Sequence, residues 1–289
     1  MCNYFIQKNC RDNEILRKSF NALAQKTFGL DFEEWYQNGY WGENYIPYSI
    51  TDGNFILSNV SVNPMTFDDH GIKRRYIQLG TVMTEESHQH QGLCRLLMEE
   101  IFRDFGDGDG IYLFANDSVL DFYPKFGFRK AREYQYTKSV NIDKEASAIP
   151  MPMKTKAERM ILEQAIQNSV SCSAFEMKSN VGLIMFYITG FMKDCVYYIP
   201  PQNAYAVGEI EKATLTLHCV FSAEPIQLDE IIRAFGRDIR TVVLGFTPID
   251  KEGYTKSQLQ EEDTTLFVKG AAFNSFEQEE KMFPLLSHA

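Results

Sequence analysis

The sequence predicts an α/β fold built on a mixed sheet, and three observations lead there. First, "IKRRYIQLGTVMT" (72–84) is strand-like, "GLCRLLMEEIFRDF" (92–105) is apolar at helical spacing, and "IYLFA" (111–115) is a short apolar run. A strand, a loop, a helix and a second strand make a crossover, so the two strands should run parallel. Second, "NFILSNVSVN" (54–63) leads through the turn-rich "FDDHG" (67–71) into that unit, which predicts an antiparallel hairpin. Third, the order of elements recurs in the second half with little residue identity, as an internal duplication would leave it.

The remaining elements follow from the same patterns. "NYFIQKN" (3–9) reads as a short strand, and "RDNEILRKSFNALAQKTFG" (11–29) as a helix stopped by glycine. "LDFEEWYQNGYWGENYIPYS" (30–49) is dense in aromatics and broken by glycines, hence a short helix and then a loop. Within 92–105, Leu93, Leu96, Leu97, Ile101 and Phe105 share one helical face, and "GDGDG" ends the helix. "SVLDFY" (118–123) looks helical and "GFRKAREYQYTKSV" (127–140) reads as a strand. Two prolines and weak periodicity mark 143–156 as a linker, dividing 1–142 from 157–289. The second part reads as helices over 157–167, 180–191 and 227–236, a strand meander from "CVYYIP" to "ATLTLHCVFS", and strands in "RTVVLGFTP" and "TTLFVKG".

Composition narrows the function classes. Lys and Arg number 29 against 39 Asp and Glu, a formal charge of −10, which argues against nucleic acid because phosphate binding needs clustered cations. The six cysteines are scattered without a C-x-x-C pair, and "MCNYFIQKNCRDNE" lacks a basic segment followed by an apolar one. The apolar "VGLIMFYITGF" is too short to span a bilayer. A cytoplasmic protein without a membrane partner is the expectation, and exposed sheet edges leave room for a homo-oligomer.

The stretch "SHQHQGLCRLLM" (87–98) carries the chemistry. As H-x-H-x₃-C, His88, His90 and Cys94 fall short of a zinc set, with no second cluster nearby, so no metal is expected. A plain glycine easing a strand into a helix remains open on local pattern alone. The anion reading explains more. About four N–H groups at a helix start lack an intrahelical partner, the helix dipole favours negative charge there, and Gly92 lets a phosphate approach the main chain.

Gln89-x-x-Gly92-x-Cys94 resembles the Q/R-x-x-G-x-(G/A) signature of the GNAT superfamily of acyl-CoA-dependent N-acetyltransferases, with Cys94 in place of the usual small residue. "NDSVLDFYPKFGF" (116–128) is similar to that family's second signature, an Asn followed by Y-x-x-x-G-F. More narrowly, the chain resembles tandem-domain bacterial acetyltransferases of the enhanced-intracellular-survival type, with a degenerate GNAT-like domain after the catalytic one; 289 residues leave no room for the third, sterol-carrier-like domain of the longest members. The corresponding loop of the second half, "SAEPIQLDE", has no glycine and carries acids, so the architecture would persist there without the CoA-binding loop.

The resemblance implies acetyl-CoA as co-substrate and a small-molecule or peptide amine as acceptor, joined by direct attack in a ternary complex. Main-chain groups of Val82, Met83 and Thr84 would hold the pantetheine arm. Gln89, His90, Gln91, Gly92, Leu93 and Cys94 would bind pyrophosphate, with Asn116 and Ser118 near the arm. Tyr123 matches the tyrosine general acid of the family; without the paired motif the core tyrosine before a tight turn is the preferred reading. Glu86 and Gln89 depart from the commoner proline and arginine and should weaken CoA binding. For the acceptor, Glu33, Trp41 and Tyr45 lie in the aromatic segment expected to border the site, and Ala289 is expected to reach into it. The competing class is a non-catalytic acyl-CoA-binding or scaffolding protein built from two such modules.

Overall fold

The computed structural model describes residues 4–289. Along the chain run Phe5–Lys8 (β1), Glu14–Phe28 (α1), Glu33–Gln37 (α2), Ile46–Thr51 (β2), Ile56–Asp69 (β3), Ile72–Thr84 (β4), Leu93–Phe105 (α3) and Gly110–Ala115 (β5). Arg129–Lys130 (β6) and Tyr134–Ser139 (β7) follow, then Ile149–Pro150 (β8), Lys156–Asn168 (α4), Phe175–Lys178 (β9) and Val181–Gly190 (α5). The last elements are Val196–Ile199 (β10), Ala204–Glu211 (β11), Thr214–Phe221 (β12), Leu228–Arg233 (α6), Thr241–Leu244 (β13), Thr255–Gln258 (β14) and Thr265–Lys269 (β15). Asn3 and Cys2 lie outside the described residues.

Helix ends obey local chemistry. Asn13 caps α1 by accepting from the Ile15 and Leu16 N–H groups, and Gly29 ends it in a left-handed conformation at φ 72°. Thr155 and Glu158 form a reciprocal capping box at the start of α4. The stretch 118–123 shortens to 3₁₀ turns at Asp117–Val119 and Tyr123–Phe126. Pro124, which cannot donate to a continuing helix, stands in the second of them.

Two mixed sheets result. The first is ordered β1-β2-β3-β4-β5-β15-β6, with β9 against the far end of β3; the second is ordered β14-β7-β13-β12-β11-β10-β8. The β4–β5 pair is parallel across α3, as the crossover predicts, and β3–β4 is the antiparallel hairpin. The second sheet repeats this core: β11–β12 is antiparallel and β12–β13 parallel across α6. The fold is thus a mixed-sheet unit followed by a degenerate second copy.

The sheets exchange strands, which the sequence pattern did not suggest. The stretch 127–140 is not one strand: Arg129 and Lys130 pair in the first sheet, and Tyr134–Ser139 cross to the second, between β13 and β14. In return, β15 pairs antiparallel with β5, register Thr265 to Ala115 through Lys269 to Ile111. The expected boundary at 142 therefore falls after the crossing, and within the expected linker Ile149 and Pro150 pair with β10. Strands β2, β9 and β14 are further additions; β2 lies where the sequence reads as loop. Among the described residues no helix is long and apolar enough to cross a membrane.

A buried carboxyl stands at the crossing. Glu133 is 7% exposed, and its Oε1 accepts from the Phe283 N–H at 2.7 Å. Burial pushes its pKa from 4.5 up to about 8. Between those values the unfolded chain releases a proton that the folded chain keeps, so stability falls as pH rises, by about 1.4 kcal/mol per pH unit. Gln preserves the acceptor and cannot ionise. Glu133→Gln should therefore gain on the parent progressively from about pH 5 to about pH 8 and level off above. Urea unfolding at each pH measures the difference, and a pH-independent difference contradicts the assignment.

Candidate active site

Parallel pairing of β4 with β5 covers only Tyr76–Leu79 against Gly110–Leu113. Beyond Leu79 the partners separate. On the β3 side the ladder of β4 shifts register between Asn59 and Ser61, so that Ser61 faces Gly80 and Asn59 faces Met83. Thr81 sits in the bulge at φ 42°, a conformation uncommon outside glycine. Polar side chains hold it: Asn59 Nδ2 donates to the Thr81 carbonyl at 3.0 Å, Thr81 Oγ1 to Ser61 Oγ at 2.7 Å, and Tyr45 Oη and Thr81 Oγ1 share a 2.6 Å hydrogen bond. The β5-facing main-chain edge of Val82, Met83 and Thr84 is consequently unpaired, while the Met83 side chain is buried in the aromatic cluster of Phe20, Phe32, Trp35, Trp41 and Tyr45.

Where this edge ends, the chain turns into α3 through a short loop. His90 at φ 60° and Gly92 at φ 80° alternate with ordinary conformations, so successive N–H groups line a concave surface. The N–H groups of residues 90–95 donate to no acceptor among the described residues; the first intrahelical bond is Leu96 N–H to the Gly92 carbonyl at 3.2 Å. Gln89, His90, Gln91 and Gly92 are exposed, whereas Leu93 anchors the helix in the core. A Cβ on Gly92 would meet no protein atom within 4 Å, so its φ and the space for a guest, rather than packing, account for the glycine.

The side chains brace the loop. Gln89 Nε2 donates to the Thr84 carbonyl at 3.4 Å and Gln91 Nε2 to the Ser87 carbonyl at 3.1 Å. Burial pushes the Cys94 thiol up to about 12, so it stays neutral. The acids before the loop do not face it unopposed: Lys26 pairs with Glu85 at 2.6 Å and reaches Glu86 at 3.7 Å.

Tyr123 begins a 3₁₀ turn and is 4% exposed, packed against Phe267 of β15 at 5.6 Å between ring centroids. Burial, and then the Cys94 thiol, raise its pKa, so the phenol is protonated at neutral pH. Asn116 donates from Nδ2 to Asp263 Oδ2 at 2.9 Å, and the Asp117 N–H donates to Oδ1 of the same residue. The Asn116 side chain is thus committed to the loop before β15; Ser118 is exposed.

On the other side of the bulge lies a cavity of about 630 Å³, walled by Trp35, Tyr40, Tyr45 and Asn63 of the first unit and by α4 and the start of α5 of the second. Trp35 Nε1 donates to the Gly182 carbonyl at 2.7 Å, and a Cβ on Gly182 would strike the Tyr40 carbonyl, so the units dock backbone to backbone here. Two expected acceptor residues are placed differently. Trp41 is 3% exposed inside the aromatic cluster, with Nε1 donating to the Tyr45 carbonyl, and does not line the cavity. Glu33 pairs with Arg17 at 3.0 Å, which holds its carboxyl below the usual range, and it too is outside the cavity wall. Tyr45 does line it.

Ala289 reaches the bulge. Its N–H donates to Gln78 Oε1 at 3.0 Å and its carbonyl accepts from Gln78 Nε2 at 3.2 Å. Tyr187 Oη donates to the His288 carbonyl at 2.6 Å, and the His288 ring stacks on Phe114 at 3.8 Å. Burial depresses His288 to about 3, so the imidazole is neutral. A Cβ on Gly80 would collide with the Ala289 carbonyl. Gln78, Asn63, Arg159 and Glu163 carry no motif; only the fold brings them to this place.

The site combines a parallel strand pair that splays with an open N–H nest. Residues 13–128 match the family model described as the acetyltransferase (GNAT) family. No curated protein matches the chain by sequence. Its fold is similar to that of a probable N-acyltransferase from Enterococcus faecalis V583 (TM-score 0.61, 12% identity, covering 96% of this chain and 74% of that one). It is also similar to Eis1 from Mycobacterium abscessus (0.55, 12%, 91% and 72%) and to a GCN5-related N-acetyltransferase from Kribbella flavida (0.53, 11%, 92% and 72%). At these identities the likeness is one of fold.

Gly80→Ala tests the packing of residues 287–289. The added methyl should expel Ala289 from Gln78 while the sheet persists, raising hydrogen exchange at the Ala289 amide by at least about tenfold, since one hydrogen-bond pair is lost. Unchanged exchange contradicts the contact.

Proposed function

We propose that the chain transfers an acetyl group from acetyl-CoA to a primary amine by direct attack in a ternary complex. The observation that carries this reading is the nest of six unpartnered N–H groups at residues 90–95, set at the end of the unpaired edge of β4. A pyrophosphate suits the nest, because the helix dipole and the free donors favour an anion together. No acid occupies the first turn of α3 to oppose it. Val82, Met83 and Thr84 would then offer their β5-facing edge to the pantetheine, as a strand pairs with a missing neighbour. Ser118 and Asn116 flank the arm, Asn116 through its main chain.

The acetyl carbonyl then lies in the splay, with the cavity beyond the bulge as the acceptor site. An alkylammonium has a reference pKa near ~10.4 and reacts only after losing a proton. Glu85, Glu33 and Glu43 are engaged by Lys26, Arg17 and Arg11, and His288 is too weakly basic, so none is the base. Ala289 borders the amine's approach at Gly80 and offers main-chain oxygen to it. The amine enters as its free base, its proton left to solvent. As the C–N bond forms and the C–S bond breaks, the nitrogen sheds a second proton to solvent, and Tyr123, kept protonated by burial, gives its proton to the departing thiolate and is reprotonated from solvent.

The test is release of CoA thiol over a panel of polyamines, aminoglycosides, amino acids and peptide N-termini. Amine-dependent release supports the reading; tight acetyl-CoA binding without release on any amine replaces it with the binding-module alternative. Two variants separate the parts. Gly92→Val forces a β-branched residue into φ 80° and fills the guest's space, so acetyl-CoA affinity should fall more than about tenfold with the circular dichroism retained. Tyr123→Phe should cut kcat by about 100-fold or more, the usual scale for a lost general acid, with little change in KM. Wild-type turnover in that variant removes Tyr123 from the chemistry.

A further inference from the structure

The acceptor cavity has a charge pattern opposite to that of the chain around it. The protein carries a formal charge of −10, yet the charged residues on the cavity wall are Lys156, Arg159 and Glu163, two cations against one carboxylate. All three come from α4 of the second unit. The lone carboxylate is already engaged, since Glu163 Oε1 accepts from Tyr40 Oη at 2.5 Å. Arg159 has no carboxylate partner within ion-pair distance among the described residues; its Nη1 donates to the Met153 carbonyl at 3.2 Å, and the guanidinium also lies against the Tyr40 hydroxyl. The remaining polar wall is largely neutral amide, including Asn63 next to the bulge.

A polyamine or other polycation entering this cavity would meet two like charges against the single carboxylate of Glu163. A guanidinium without an ion-pair partner, by contrast, offers parallel donors matched to the two oxygens of a carboxylate. We propose that the acceptor is an amine that also bears a carboxylate, of amino-acid or short-peptide type, held by Arg159 at the α4 wall while its amino group reaches the bulge beside Asn63 and Tyr45. The second unit thereby sets acceptor choice for the first. This rests on the cavity being the acceptor site of an acetyltransferase.

The test compares ligands that differ only by the carboxylate: Nα-acetyl-lysine against N-acetylcadaverine, and tyrosine against tyramine. Binding to the full chain in the presence of CoA is measured by calorimetry. The carboxylated member of at least one pair should bind tenfold tighter or more. Arg159→Glu should abolish or invert that preference while leaving acetyl-CoA affinity unchanged, which also reports that the variant is folded; Arg159→Met replaces it if it is not. Equal binding within both pairs, tighter binding of the decarboxylated members, no binding of any, or a preference that survives loss of Arg159 overturns the inference. Thiol release is followed separately. A carboxylate preference without release counts against acetyl transfer and leaves the charge selectivity standing.

Discussion

The site depends on one constraint: β4 cannot stay paired on both sides past Leu79. Its parallel partner β5 continues into a ladder with β15, while β4 keeps its antiparallel ladder with β3 through a bulge at Thr81. The positive φ of Thr81 is costly, and a polar network of Asn59, Ser61 and Tyr45 over-determines it. The open edge of Val82–Thr84, the direction of the loop into α3 and the approach of Ala289 all follow from that separation. In an ordinary sheet such an edge would be a liability for aggregation. Here it is short, recessed, and ends at donors that want an anion.

The same separation occurs in the second unit, with a different outcome. Pairing of β12 with β13 ends at Leu217 and Leu244, while β12 runs on to Phe221. The chain fills this second cleft itself. The Leu285 N–H donates to the Gly245 carbonyl at 3.0 Å, and Pro284 and Leu286 face His218–Phe221. From there Ser287, His288 and Ala289 pass to the first cleft, where Tyr112, Tyr187 and Gln78 receive them. One segment thus plugs one splay and borders the other. Strand exchange by β7 and β15 ties the two units further.

Much of this was legible in residues, and the failures have physical causes. Local periodicity gave the β4–α3–β5 crossover and the hairpin before it, because each is a short-range pattern with its own turn signal. The turn at Gln89–Cys94 was legible as the start of a helix because Gly92 marks the left-handed residue that opens α3. Periodicity does not say which sheet a strand joins, so 127–140 read as one strand although Ala131, Arg132 and Glu133 carry it from one sheet to the other. Aromatic density did not separate wall from core: Tyr45 reaches the bulge and Trp41 is swallowed by the cluster around Phe20 and Phe32. Glu33 looked free only because Arg17, 16 residues earlier and in α1, could not be seen to face it.

The two units show how one topology can carry an open N–H nest in one case and not in the other. The helix that follows the first splay has 13 residues, a left-handed glycine at its start and no acid in its first turn. The helix that follows the second has six residues, Gln227 before it, and Asp229 and Glu230 in its first turn. Aligned peptide dipoles grow with helix length, and carboxylates in the first turn both satisfy and neutralise the amides an anion would need. The second cleft is filled by Leu285 and its neighbours, and the unit that holds it contributes α4 to the wall of the first unit's cavity.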